Sequence, residues 1–113
     1  MFLLGKGTKK NENLAQFWYT KAANAGDQYA QYDLGLMYLE GKGIPKNPQL
    51  AVNWFTKSAE QGFVSAQYNA GLLNFQGVGT PKNDVTAFNW YEKAAQQGHV
   101  KAQTNLASMY LNG

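Results

Sequence analysis

Three tryptophans, Trp18, Trp54 and Trp90, stand 36 residues apart in a chain of 113. Gly26, Gly62 and Gly98 keep the same interval. So do Ala30, Ala66 and Ala102, each followed by a glutamine, Gln31, Gln67 and Gln103. A fixed period of this size marks a repeat array, in which each unit is one supersecondary element stacked on the next. Laying residues 29–64 on residues 65–100 leaves half of the positions identical, among them Gly35/Gly71, Gly41/Gly77, Pro45/Pro81, Asn47/Asn83, Ala51/Ala87 and Ala59/Ala95. Both copies lie in one chain, so these identities report what the geometry of the unit demands.

Each copy reads as two helices. The spacing predicts a helix A over residues 29–39, with Ala30, Leu34, Met37 and Tyr38 on one side. Gly41 then supplies a left-handed cap, and Gly43-Ile44-Pro45 a short connector. Asn47 suits an N-cap and Pro48 the first helical position; Asn83-Asp84 take these parts in the next copy. Helix B is predicted over residues 48–61, where Ala51, Trp54, Phe55, Ser58 and Ala59 form an apolar face of helical width. Gly62 ends it, and Lys57 lies where positive charge suits the helix dipole. The small residues Gly35, Ala59 and Ala66 are expected to let helices approach closely, with Trp54 filling the space between helices A and B of its copy and the following helix A.

The ends carry the same pattern out of phase. Residues 1–7 align with 37–43, so the chain opens on the tail of a helix A; residues 11–25 then read as a helix B, with Asp27 capping the next helix A. Residues 101–111 read as a last helix A. The expected organisation is one array, with a partial repeat at 1–28, repeats at 29–64 and 65–100, and a partial repeat at 101–113. This is the pattern of a fragment of a longer array. Phe2, Leu3, Met109, Tyr110 and Leu111 are then expected to expose apolar surface, to be covered by a neighbouring repeat or by self-association.

Composition narrows the function classes. Hydrophobic residues make up 44% and charged ones 15%, enough to bury a core. The net charge of +3 comes from scattered lysines without arginine, so no nucleic-acid footprint is read. No apolar run approaches a membrane span. The absence of cysteine removes disulfides, thiolate nucleophiles and cysteine zinc sites, and leaves periplasmic or exported and cytoplasmic settings equally open.

Chemistry-bearing motifs are weak. Gly5-Lys6-Gly7-Thr8, Gly41-Lys42-Gly43 and Gly77-Val78-Gly79 lack the spacing of a phosphate loop, and Lys46 and Lys82 stand where a dinucleotide fingerprint needs a third glycine. His99 is the one histidine and lies in a variable turn whose equivalents are Phe63 and either Asp27 or Gln28. The carboxylates show no acid–base pair. Lys21, Lys57 and Lys93 read as a solvated outer stripe. No catalytic, cofactor or metal residue is therefore assigned.

The stretches AQYDLGLMYLEGKGIPKNPQLAVNWFTKSAEQG and AQYNAGLLNFQGVGTPKNDVTAFNWYEKAAQQG resemble the Sel1-like repeat, a relative of the tetratricopeptide repeat. Ala70, Asn74 and Ala107 depart from its usual Leu, Tyr and Gly. The resemblance implies an all-α, right-handed superhelix of antiparallel helix pairs. It also implies a non-enzymatic job of holding proteins or peptides together, in a family common among bacteria. The rival readings are a structural spacer within a longer solenoid and a small-ligand-binding or hydrolytic module.

With about 100° per residue, the side of helix A opposite its core gathers Tyr32, Asp33, Leu36 and Glu40, then Tyr68, Asn69, Leu72 and Gln76, and in the last copy Thr104, Asn105, Ser108 and Asn112. The first eight are the candidate partner-binding residues. Stacked at the repeat spacing they are expected to line the concave surface as a peptide- or protein-binding groove. The competing expectation is that they pack against the neighbouring helix A.

Overall fold

The computed structural model describes residues 9–112, with side chains from residue 12. Among these residues there are six helices and no strand: α1 (Lys9–Asn24), α2 (Gln28–Glu40), α3 (Pro48–Glu60), α4 (Val64–Gln76), α5 (Asp84–Gln96) and α6 (Val100–Asn112). Odd-numbered helices are helix B and even-numbered ones helix A of the repeat. The pairs α2–α3 and α4–α5 form complete units, and the stack measures 51 × 25 × 24 Å.

The ends of each helix follow from local chemistry. The Ala30 N–H donates to Asp27 Oδ2 at 2.8 Å, Leu50 N–H to Asn47 Oδ1 at 3.1 Å, and Thr86 N–H to Asn83 Oδ1 at 3.0 Å. Each bond satisfies one of the donors that a helix start leaves free. At the other end Gly41 and Gly77 adopt φ of +72° and +74°, and their N–H groups donate to Met37 O and Leu73 O. Only a residue without Cβ takes this left-handed turn at no steric cost.

The core corrects one expectation. The side chains sealed from solvent are Phe55 and Tyr91, at 0% and 1% exposure, rather than the tryptophans that precede them. Phe55 lies on Gly35: a Cβ at Gly35 would stand 2.8 Å from two carbons of the ring, and Tyr91 lies on Gly71 in the same way. The glycine of helix A is thus a socket for the aromatic of its own helix B. Trp54 is half-buried, and it packs on Ala23, Ala30, Leu34 and Ile44, toward the preceding helix B and its own helix A. Trp90 does the same against Ala59, Ala66 and Ala70. Trp18 is 61% exposed, because among the described residues no helix stands ahead of α1 to receive it.

Glutamines tie the repeats together. Gln31 and Gln67 are buried, and their Nε2 groups donate to Ala23 O and Ala59 O of the preceding helix B at 3.2 and 3.3 Å. Gln61 and Gln97 donate to the side-chain oxygens of Gln31 and Gln67, each at 2.9 Å, and to the carbonyls of Gly26 and Gly62. Ser58 Oγ donates to Gln28 O at 2.8 Å. A buried amide costs stability unless it is paired, so this ladder fixes the register of one repeat on the next. The departures from the repeat pattern are accommodated locally. Ala70 is fully buried, and the buried Asn74 donates its Nδ2 to Ala70 O at 2.8 Å.

Candidate functional site

Among the described residues, a smaller and a larger groove open on the stack. The smaller, about 390 Å³, runs along the helix A row and is lined by Tyr32 of α2, Ser65, Tyr68 and Asn69 of α4, and His99, Val100 and Lys101 at the start of α6. The larger, about 870 Å³, lies between α4, α5 and α6, with Leu72, Phe75, Phe88, Tyr91, Asn105 and Met109 among its walls.

The eight candidate residues are divided between packing and surface. Tyr32 is half-buried, with its ring edge-on to Phe63 at 5.1 Å and tilted on Phe55 at 5.6 Å. Tyr68 is half-buried too, stacked on His99 at 4.6 Å and beside Tyr91 at 5.9 Å. Both tyrosines therefore hold the turn that opens the next helix A while showing part of the ring to solvent. Asp33, Leu36, Asn69 and Leu72 are also half-buried, and Leu36 packs against the cluster of Ala51, Phe55 and Leu73. Glu40 and Gln76 are exposed. Tyr32, Tyr68 and Asn69 meet in the smaller groove, whereas Leu72 and Gln76 line the larger one.

His99 lies in the turn before α6, and its role there escapes sequence reasoning. Its Nδ1 accepts from the Ala102 N–H at 3.1 Å, capping α6 as Asp27 caps α2, while its ring covers Tyr68. Phe63 at the equivalent position makes no side-chain cap bond, and packs on Tyr29 and Tyr32 instead. The available signal was the alternation Asp27, Phe63, His99 at one repeat position.

Burial pushes the Asp33 carboxyl above its ordinary pKa, and the Asp27 carboxylate adds to the rise. An acid with a raised folded-state pKa holds its proton more tightly in the folded chain. The stability it contributes is complete below the unfolded-state pKa and is lost as pH climbs through the folded-state one. Asp33→Asn, neutral at every pH, is expected to raise the thermal midpoint modestly at neutral pH and to lose that advantage in strong acid. Melting curves at the two pH values check this. The effect stays modest because water screens a half-exposed group.

In the larger groove the buried Tyr91 hydroxyl has no hydrogen-bond partner. Burial raises its pKa; Asn105 comes near enough to oppose that rise without reaching bonding geometry, and Tyr68 adds to it. Among the described residues no cluster of three or more His, Cys, Asp or Glu side chains is placed to hold a metal ion. None of the helices is long and apolar enough to cross a membrane.

Stacked antiparallel helix pairs, with glycine sockets and amide rungs at a fixed period, define a helical-repeat solenoid. The chain belongs to the Sel1 repeat family, whose model matches residues 1–27, 28–63, 64–99 and 100–113. It is similar in structure to a protective antigen present in uropathogenic Escherichia coli strains that displays an SLR fold, with 43% identity and a TM-score of 0.85 over 87% of this chain. The chain spans 21% of that protein's length. It is also similar to a Sel1 repeat protein from Oxalobacter formigenes, with 33% identity and a TM-score of 0.79 over 90% of each chain. The cysteine rich protein B of Helicobacter pylori shares the fold at 24% identity, with a TM-score of 0.77 over 80% of this chain and 68% of that one. No match was found among curated proteins. Sel1 repeat proteins are generally non-enzymatic scaffolds for protein interaction.

Proposed function

We propose that this chain is a non-enzymatic scaffold that binds a peptide or protein segment across the concave side of its helix A row. The observation that carries the reading is the smaller groove, where half-buried Tyr32 and Tyr68 meet the polar side chains of Ser65, Asn69 and Lys101 from successive helices A. Rigid aromatic rings flanked by hydrogen-bonding groups are the make-up of an energetic hot spot. Lys101 adds a positive charge at the α6 end of the groove. Exposed Tyr110 and Leu111 on α6 offer a second surface, through which copies of the chain associate.

The test uses groove residues that the packing does not need. Tyr32 and Tyr68 are poor probes, since each supports a neighbouring turn. Asn69→Ala combined with Lys101→Glu is expected to leave stability within about 0.5 kcal/mol, as for ordinary surface substitutions. The same pair is expected to weaken capture of the partner about tenfold, a loss of about 1.4 kcal/mol. Partners are taken from lysate on the immobilised chain, identified by mass spectrometry, and then titrated against both forms. Unchanged affinity with an unchanged thermal midpoint places the binding surface elsewhere.

A further inference from the structure

The Tyr91 hydroxyl is buried in the wall of the larger groove without a hydrogen-bond partner, on a side chain only 1% exposed. A sealed polar group in that state costs stability and calls for an explanation. Packing does not supply one. Phe55 holds the same position one repeat earlier. Each ring lies on the glycine of its own helix A, where a Cβ would stand 2.8 Å from two ring carbons, at Gly35 for Phe55 and at Gly71 for Tyr91. A phenyl ring therefore serves this socket in full, and the oxygen of Tyr91 is surplus to it.

The groove beside that oxygen has the make-up of a small-ligand site. Its volume is about 870 Å³, within the range of about 300–1,000 Å³ typical of such sites. Leu72, Phe75, Phe88, Met109 and Tyr110 give it apolar and aromatic walls, with Phe88 and Tyr110 edge-on at 5.5 Å. Asn105 of α6 also lines it and stands beside the Tyr91 hydroxyl. The charged side chains in the lining, Lys82 and Asp84, are occupied with each other. Lys82 Nζ pairs with Asp84 Oδ1 at 2.9 Å, donates to Phe75 O at 2.8 Å and lies 4.3 Å from the centre of the Phe75 ring. The pair presents no net charge, so the lining suits an uncharged ligand.

We propose that this groove binds a small uncharged aromatic molecule that carries a carbonyl group, its ring against Phe75 and Phe88 and its carbonyl oxygen accepting from the Tyr91 O–H. A change of rotamer at half-buried Asn105 uncovers the hydroxyl, and the Asn105 amide then donates to the same oxygen. Binding thereby satisfies a donor that folding leaves unpaired. The site is separate from the peptide groove, since no residue lines both.

Fluorescence titration of the chain with prodan, a neutral naphthyl ketone, tests the site. The expected result is saturable binding at one site per chain. Tyr91→Phe is expected to keep or raise the thermal midpoint, because Phe55 fits the equivalent socket and an unpaired buried hydroxyl is removed. The same variant is expected to weaken prodan binding about tenfold, through the lost hydrogen bond. Dimethylaminonaphthalene, the same ring system without the carbonyl, is expected to bind both forms alike. Ser108→Trp, at an exposed position of α6 in the groove lining, is expected to fill the groove and abolish binding of both dyes. Equal prodan affinity for the chain and for Tyr91→Phe overturns the proposal and leaves a groove that takes any apolar group, a peptide side chain included. Prodan binding that survives Ser108→Trp, or that falls with Asn69→Ala and Lys101→Glu, puts the dye elsewhere and overturns it too. So does the absence of saturable binding. None of these outcomes bears on capture of a peptide by the smaller groove.

Discussion

Phe55→Ala is expected to cost about 3–5 kcal/mol, the range for removing a large aromatic from a core that cannot collapse around the void. The ring is fully sealed, lies against Gly35 and touches Tyr32. No side chain on Gly35 can swing in to fill the space. Trp54→Ala is expected to cost less, about 1–3 kcal/mol, because the indole is half-buried at the edge of its cluster and part of its surface is already in water. Total stability for a domain is about 5–15 kcal/mol, so the first substitution removes a large part of it. Urea titrations of the two variants check the order. A larger loss for Trp54→Ala contradicts the socket arrangement.

Gly79→Ala is expected to cost about 2–4 kcal/mol. Its φ of +76° strains any residue with a Cβ, at about 1–2 kcal/mol, and the new atom also meets the Pro48 carbonyl and Val52 of the preceding helix B. Gly62 provides the control. Its φ is +97°, but nothing lies within 4 Å of the position a Cβ would take. Gly62→Ala therefore reports strain alone, and the excess loss in Gly79→Ala measures the seat of one repeat on the next. Equal losses would mean that the connector does not carry inter-repeat contact.

The sequence made some of this legible and hid the rest for identifiable reasons. The caps at Asn47 and Asn83 and the left-handed Gly41 follow from local rules, and the structure places them where those rules predict. Trp54 and Phe55 are neighbours about 100° apart on one apolar face. Periodicity admits both to the core and cannot say which one meets the glycine of the facing helix. Residue size points to tryptophan, but the socket at Gly35 lies under Phe55. The stacking of His99 on Tyr68 joins residues 31 positions apart across a turn whose occupant changes in every copy. At the candidate site, the pattern identifies the side of helix A that carries Tyr32 and Tyr68. It could not show that each ring also braces the following turn, since that contact depends on how one repeat leans on the next.

The binding account is tested most directly by mapping a captured partner peptide onto the amide spectrum of the isotope-labelled chain. The account predicts that titration shifts the signals of Tyr32, Asp33, Tyr68, Asn69 and Lys101 together, along α2, α4 and the start of α6. Shifts confined to the outer faces of α3 and α5, around Lys57 and Lys93, would contradict it.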